Sequence, residues 1–170
     1  MSHDLLGIYL NDHLAGSTLG VELARRTAGA NEGTPYAEFL DKLATEIEED
    51  RDALLRAMKN HGTDPDQLKR GFAWLGEKAG RLKLNGQITG YSPLSRVTEL
   101  EGLIIGVTGK QQLWRALRLL EPDERPLEAA ELDDLIQRAE RQRDGLMEQH
   151  ARACGEAFSA GSREPAAVSG

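Results

Sequence analysis

Apolar side chains that recur every three or four residues are the feature that most constrains how this chain folds. The clearest repeat consists of Tyr36, Leu40, Leu43, Ile47, Leu54 and Met58. This spacing is the period of an amphipathic α-helix, whereas a half-buried β-strand would alternate apolar and polar residues. Because Thr34-Pro35 supplies a helix start and His61-Gly62 a helix end, the pattern predicts one helix about 39 Å long.

Four other segments carry the same period and are separated by helix-breaking residues. They cover about residues 4–27, 65–82, 93–120 and 127–158. The stretch 97–109 has only two charges, Glu99 and Glu101, so we expect neighbours to bury that helix on several sides. The sequence therefore predicts one all-α domain over residues 1–158. We expect a four-helix bundle with the shorter helix in its crossover, and a disordered tail over 159–170.

Composition excludes several classes of protein. The chain has 21 basic and 28 acidic residues and a net charge of −7, which removes the simplest case for nucleic-acid binding. It has no apolar run of 18 residues, and its start lacks the features of a signal peptide, so we expect a cytoplasmic protein without membrane contact. The single cysteine, Cys154, excludes an internal disulfide, and on its apolar stripe we expect an inert thiol.

Glycines are concentrated in two of the predicted helices, which are otherwise rich in good helix formers. They are Gly16 and Gly20 on the first helix, and Gly102, Gly106 and Gly109 on the fourth. Each costs about 1 kcal/mol relative to alanine inside a helix. We therefore expect helix backbones to approach closely there, with local flexibility as the alternative. The run 106–110 resembles the end of a phosphate-binding loop, but it lacks the required earlier glycine and the following Ser or Thr.

Polar side chains at core positions define the candidate site, because burying a polar group costs free energy unless it has a partner. With a rotation of 100° per residue around each helix axis, the polar residues that fall on apolar faces are His13, Asp50, Glu101, Arg143 and His150. We interpret them as a buried polar layer in which Arg143 pairs with Asp50 or Glu101 and fixes the register of the helices. His13 and His150 are then core or boundary histidines.

The predicted layout also allows a metal site. This layout resembles that of the ferritin-like superfamily, in which two helices are followed by a long crossover and two more helices. The resemblance covers about residues 4–158. The resemblance implies a carboxylate-bridged iron or manganese centre built from Glu and Glu-x-x-His on facing helices. The chain contains no Glu-x-x-His; its nearest spacings are Glu46-x-x-Glu49 and Glu148-x-His150. Arg143 would repel a metal ion at this position, so the ion pair is favoured and no metal or cofactor is assigned.

The stretch from Glu77 to Pro93 concentrates basic residues and glycines ahead of the most buried helix. Lys78, Arg81, Lys83 and Tyr91 are candidates for binding a small anionic ligand, since loops anchored on rigid helices are common binding elements. A loop that only packs against the end of the bundle would need the same residues.

Three functional classes remain open from the sequence. The leading prediction is a non-enzymatic binding or interaction protein that acts through protein contacts, with a homodimer as one option. The alternatives are a ferritin-like iron or manganese protein and a binder of a small anionic ligand through the 78–91 loop.

Overall fold

The computed structural model describes residues 4–64 and 91–159, which form four helices. They are α1 (Leu5–Ala30), α2 (Ala37–His61), α3 (Pro93–Arg118) and α4 (Ala129–Ser159). No strand occurs in these two ranges, so the predicted all-α bundle of four long helices is confirmed for them. The helix predicted over 65–82 and residues 160–170 of the predicted tail lie outside the described residues. None of the four described helices combines the length and the apolar character needed to cross a membrane.

Local signals set the bounds of α2, with one difference from the prediction. Gly62 ends the helix with a φ of 80°, a left-handed conformation that glycine adopts at little steric cost. The helix begins at Ala37 rather than at Pro35. The cause is a turn before the helix, in which the Thr34 hydroxyl accepts a hydrogen bond from the Tyr36 amide at 3.2 Å.

The start of α3 follows the prediction from Ser92-Pro93. The Ser92 hydroxyl accepts a hydrogen bond from the Ser95 amide at 3.1 Å, and the Ser95 hydroxyl accepts one from the Ser92 amide at 3.4 Å. This reciprocal cap satisfies two amides that a helix start leaves without intrahelical partners. Pro93 occupies the first turn, where a missing N–H costs nothing.

Contacts at the helix ends establish the topology. His61 at the end of α2 lies 3.7 Å from Asp4 at the start of α1. At the opposite end, the side chain of Asn31 after α1 accepts a 2.6 Å hydrogen bond from Arg96 in the first turn of α3. Helices α2 and α3 therefore run in the same direction, and the chain between them joins opposite ends of the bundle. Because α1 packs against α2 and α3, and α4 against α3 and α2, α2 and α3 are diagonal neighbours.

Two apolar clusters fill the bundle, with charged residues between them. The first cluster includes Leu40, Leu43, Ile47, Leu100, Leu103, Val107 and Leu146. The second includes Leu10, Leu14, Leu54, Met58, Leu113, Trp114 and Leu132. Along α2 the two clusters are separated by Asp50, and along α3 they are separated by Lys110. On α1 the corresponding stretch contains Gly16 and Gly20, so this helix contributes little side-chain volume at mid-height.

Candidate functional site

A cavity of about 420 Å³ lies between α1, α2 and α3 at the height of the charged residues. Glycines form its sides where α1 faces α3; they are Gly16, Gly20, Gly102, Gly106 and Gly109. A Cβ atom added at any of them except Gly102 would meet no described atom within 4 Å beyond its own stretch of helix. Gly16 and Gly106 are solvent exposed, so the cavity opens to solvent between these two helices.

Within the part of the chain that the structure describes, the predicted close approach of helix backbones is therefore wrong at four of these five glycines. At Gly102 an added Cβ would lie 3.0 Å from Cδ2 of Leu23, which is the tight contact expected. Elsewhere the larger side chains on either side of the glycines set the spacing of α1 and α3. Leu14 and Trp114 pack in one cluster and Leu23 packs against the other, so the glycines between them line open space.

The remaining lining of the cavity is mainly apolar. It includes Ile47 and Leu54 of α2, and Leu103, Val107 and Leu113 of α3. A concave, mainly apolar surface that carries a few polar groups is typical of sites for small molecules. The arrangement of those polar groups thus determines what the cavity can bind.

The Asp50 carboxylate, which is 2% exposed, is the most buried of these polar groups. Lys110 Nζ donates a hydrogen bond to Asp50 Oδ2 and another, of 2.7 Å, to Gln142 Oε1. Gln142 Nε2 in turn donates to Glu46 at 3.0 Å and to Asp50 at 3.3 Å. Arg138 Nη1 lies 3.3 Å from Asp50 Oδ1. The buried carboxylate is therefore neutralised by two cations on two other helices.

The protonation of Lys110 reflects two opposing influences. Burial lowers the pKa of its ammonium group, and the charge of the adjacent Asp50 carboxylate opposes that shift. The Lys110 side chain is only 15% exposed, so few water molecules reach the ammonium group. Each member of the pair thus supplies the charge that makes burial of the other tolerable.

The predicted ion pair of Arg143 with Asp50 or Glu101 is wrong. Two nitrogens of the Arg143 guanidinium instead donate to Asp144 Oδ1 at 2.8 and 3.1 Å, and Nη1 donates to Gln111 Oε1 at 3.3 Å. Its side chain is 33% exposed, so Arg143 lies at the boundary of the bundle rather than inside it.

The orientation of α4 explains this error. Gln142, which is 3% exposed, is the residue of α4 that contacts Asp50, so its neighbour Arg143 is rotated away from the centre. The cation beside Asp50 comes from Lys110 on α3. When the apolar face of a helix is broad, the helical period alone can misplace the centre of that face by one residue. Here that error placed Arg143 instead of Gln142 at the centre of the buried face.

Glu101 and His150 form a separate pair away from the cavity. Glu101 Oε1 lies 3.0 Å from His150 Nε2, and the Glu101 side chain is 53% exposed. The prediction that Glu101 is buried is therefore wrong, because the glutamate lies at the edge of the apolar arc of α3. Cys154 Sγ lies 3.6 Å from the same histidine nitrogen, and the thiol is half-buried. Within 4–64 and 91–159, no group of three His, Cys, Asp or Glu residues is arranged to hold a metal ion.

His13 lines the cavity and is half-buried. Its ring packs edge-on against that of Tyr9, with the ring centroids 4.6 Å apart. Burial lowers the pKa of His13, although the nearby Asp12 carboxylate opposes this. At pH 7 the imidazole is therefore neutral and offers one donor and one acceptor.

Tyr91 joins the ends of α1 and α3 and lies away from the cavity. Its hydroxyl accepts a 2.7 Å hydrogen bond from Asn31 and donates a 3.0 Å one to Glu99. The Arg96 guanidinium lies 5.7 Å from the centre of its ring. Burial is the main cause that raises the pKa of Tyr91 to about 12. The other three residues of the predicted anion-binding loop, Lys78, Arg81 and Lys83, lie outside the described residues.

Among the residues that line the cavity, sequence reasoning missed Arg51, Lys110 and Trp114, on which its charge and its unpaired donors depend. Lys110 follows Leu103 and Val107 at helical spacing, so its core position could have been recognised from the sequence. Neither of the other two gives a comparable signal, because arginine is common on helix surfaces and tryptophan in cores.

No protein-family model, curated protein or solved structure matches this chain. The function of the cavity is therefore inferred from its geometry.

Proposed function

We propose that this chain is a binding protein for a small, largely apolar molecule that occupies the cavity between α1, α2 and α3. The observation that carries the proposal is a volume of about 420 Å³ bounded by glycines and aliphatic side chains. That volume falls within the range of about 300–1,000 Å³ typical of small-molecule sites.

The energetics of the glycines support this proposal. A glycine inside a helix costs about 1 kcal/mol relative to alanine, and close helix packing can offset that cost. At Gly16, Gly20, Gly106 and Gly109 no such packing exists among the described residues. A ligand between α1 and α3 would supply the dispersion contacts that the cavity walls lack.

Binding rather than catalysis is proposed because the most buried ionisable groups at the cavity occupy each other. Asp50 and Lys110 are paired, and Gln142 takes a further hydrogen of the ammonium group. The other carboxylate oxygen, Asp50 Oδ1, has no hydrogen-bond partner among the described residues, but it lies 3.3 Å from the Arg138 guanidinium, whose charge disfavours the uptake of a proton that a general base needs. The paired Lys110 amine is likewise not free to act as a nucleophile.

Two matched glycine substitutions test the proposal. Gly106 and Gly155 both lie inside helices and are exposed, and at either one an added Cβ has no described neighbour within 4 Å. Gly106 lines the cavity and Gly155 does not. Gly106→Leu should therefore fill the cavity, whereas Gly155→Leu should alter only an exposed face of α4.

The assay is fluorescence titration with N-phenyl-1-naphthylamine, a neutral aromatic molecule whose emission rises in apolar surroundings. We expect saturable binding to the wild type and to Gly155→Leu, and at least about fivefold weaker binding to Gly106→Leu, since overfilling a packed site costs about 1–3 kcal/mol. Absence of saturable binding to the wild type, or equal affinity of the two leucine variants, would overturn the proposal.

A further inference from the structure

Arg51 lines the cavity, and its guanidinium group forms no ion pair with an acid of the described residues. Its Nε atom is buried and has no hydrogen-bond partner in that part of the chain. By contrast, Arg56, one turn further along α2, is paired with Glu131 at 2.7 Å. A buried donor without an acceptor is costly and uncommon, so the structure leaves Arg51 with unused capacity to bind an anion.

The acids nearest to Arg51 in sequence and space do not supply that acceptor. Asp50 is neutralised by Lys110 and Arg138. Glu48, which lines a neighbouring cleft together with Arg51, is paired with Arg25. Asp12 at the cavity rim, and Glu22 and Asp52 in the neighbouring cleft, are exposed, so water screens their charges. The uncompensated charge at the cavity is therefore positive.

Trp114 provides an independent second donor. It is 1% exposed and lines the same cavity, and its indole N–H has no hydrogen-bond partner within the described residues. An indole nitrogen can only donate. A buried acceptor without a hydrogen-bond partner in the described ranges, Asp50 Oδ1, also lies at this cavity, but the Arg138 guanidinium 3.3 Å away balances its charge. Two buried donors without acceptors therefore indicate a ligand that brings acceptor atoms.

We propose that the ligand of this cavity is an amphipathic organic anion with a single acidic group, which binds Arg51. Its apolar body lies against the glycines and aliphatic side chains between α1 and α3. This inference rests on the proposed function and adds the chemical class of the ligand. A guanidinium group suits this role because its planar array of N–H donors matches the oxygens of a carboxylate or sulfonate.

Two fluorescent molecules with the same aromatic skeleton test the inference. They are 1-anilinonaphthalene-8-sulfonate and the neutral N-phenyl-1-naphthylamine, which differ by the sulfonate. The net charge of −7 disfavours anions over the surface as a whole, so a preference for the sulfonate reports on a local site. We expect the wild type to bind the sulfonate about tenfold more tightly, as a charge-assisted hydrogen bond predicts.

Arg51→Met should remove that preference. We expect about tenfold weaker binding of the sulfonate and less than a twofold change for the neutral molecule. Arg56→Met is the matched control, because Arg56 lies on the same helix, is 56% exposed and does not line the cavity; it should change neither affinity.

Because Arg51 has no described partner, Arg51→Met should also keep the thermal unfolding midpoint of the wild type or raise it. Arg51→Gln provides a second variant of similar length.

The outcomes separate the two proposals. If the neutral molecule binds and Gly106→Leu blocks it, but Arg51→Met and Arg51→Gln leave the sulfonate affinity unchanged, the anionic ligand is refuted and the proposed function stands. A marked fall in the unfolding midpoint of both Arg51 variants would likewise refute the inference, because it would show that Arg51 has a structural role. If neither molecule binds the wild type, the proposed function fails and the inference fails with it.

Discussion

Replacing Lys110 with methionine removes the ammonium group beside Asp50 and keeps a side chain of similar length. The Asp50 carboxylate, 2% exposed, would retain Gln142 Nε2 at 3.3 Å and Arg138 Nη1 at 3.3 Å. Breaking a buried ion pair by removing one partner costs about 3–5 kcal/mol. Because Arg138 remains as a second cation, we expect a loss near the lower limit, about 3 kcal/mol, in the free energy of unfolding.

Urea unfolding at pH 7, followed by far-ultraviolet circular dichroism, measures this loss. A whole domain is stable by only about 5–15 kcal/mol, so the shift of the midpoint should be large. Lys42→Met is the control, because Lys42 is 77% exposed and lies 3.8 Å from Glu46 on the same helix. Exposed pairs of this kind contribute about 0.3–0.5 kcal/mol.

The double substitution Asp50→Leu with Lys110→Met distinguishes a lost charge pair from simple damage to packing. With both charges gone no ion is left buried, so the double variant should recover at least half of the loss. A Lys110→Met loss no larger than that of Lys42→Met would refute the argument. A double variant no more stable than the single one would refute it as well.

Two further predictions concern two helix glycines and the hydroxyl of Tyr91. Gly20→Ala should raise the free energy of unfolding by about 0.5–1 kcal/mol. Gly145→Ala should lower it by about 1–3 kcal/mol, because a Cβ at Gly145 would lie 2.5 Å from Phe39 Cε2. If chemical denaturation gives both changes the same sign, this prediction is wrong. The pKa of Tyr91 is raised to about 12 in the folded state, so the hydroxyl holds its proton more tightly there than in the unfolded chain. Its contribution to the free energy of unfolding is therefore complete below about pH 10 and is lost as the pH rises towards 12. Tyr91→Phe should therefore be less stable than the wild type at pH 9, and urea titrations should show that this difference shrinks at pH 11; a constant difference would contradict it.

The elements that could be predicted from the sequence are those that depend on short-range signals. The helix starting at Ser92-Pro93 and the helix end at Gly62 follow from caps that involve only a few neighbouring residues. The bundle itself follows from apolar stripes long enough to exclude a strand. Asp50 lies at the centre of such a stripe and is 2% exposed.

The candidate site was harder to predict because it depends on which side chains meet between helices. Arg143 was misplaced because the orientation of α4 buries the residue before it. Glycines on one helix cannot reveal the volume of the residues that face them, so Gly20 and Gly106 did not distinguish a close contact from a cavity. The unpaired guanidinium of Arg51 is visible only once every nearby acid has been located.

The charged layer between the two apolar clusters also constrains how the helices can align along their axes. Lys110 reaches Asp50 across the diagonal of the bundle, from α3 to α2. If α3 slid by one turn, about 5.4 Å, Val107 or Trp114 would face the carboxylate and Lys110 would enter an apolar cluster. A bundle built only of aliphatic layers would tolerate such a slip. Here each shifted alignment would leave Lys110 buried without its carboxylate and Asp50 with Arg138 as its remaining cation, so the ion pair favours one alignment of these helices.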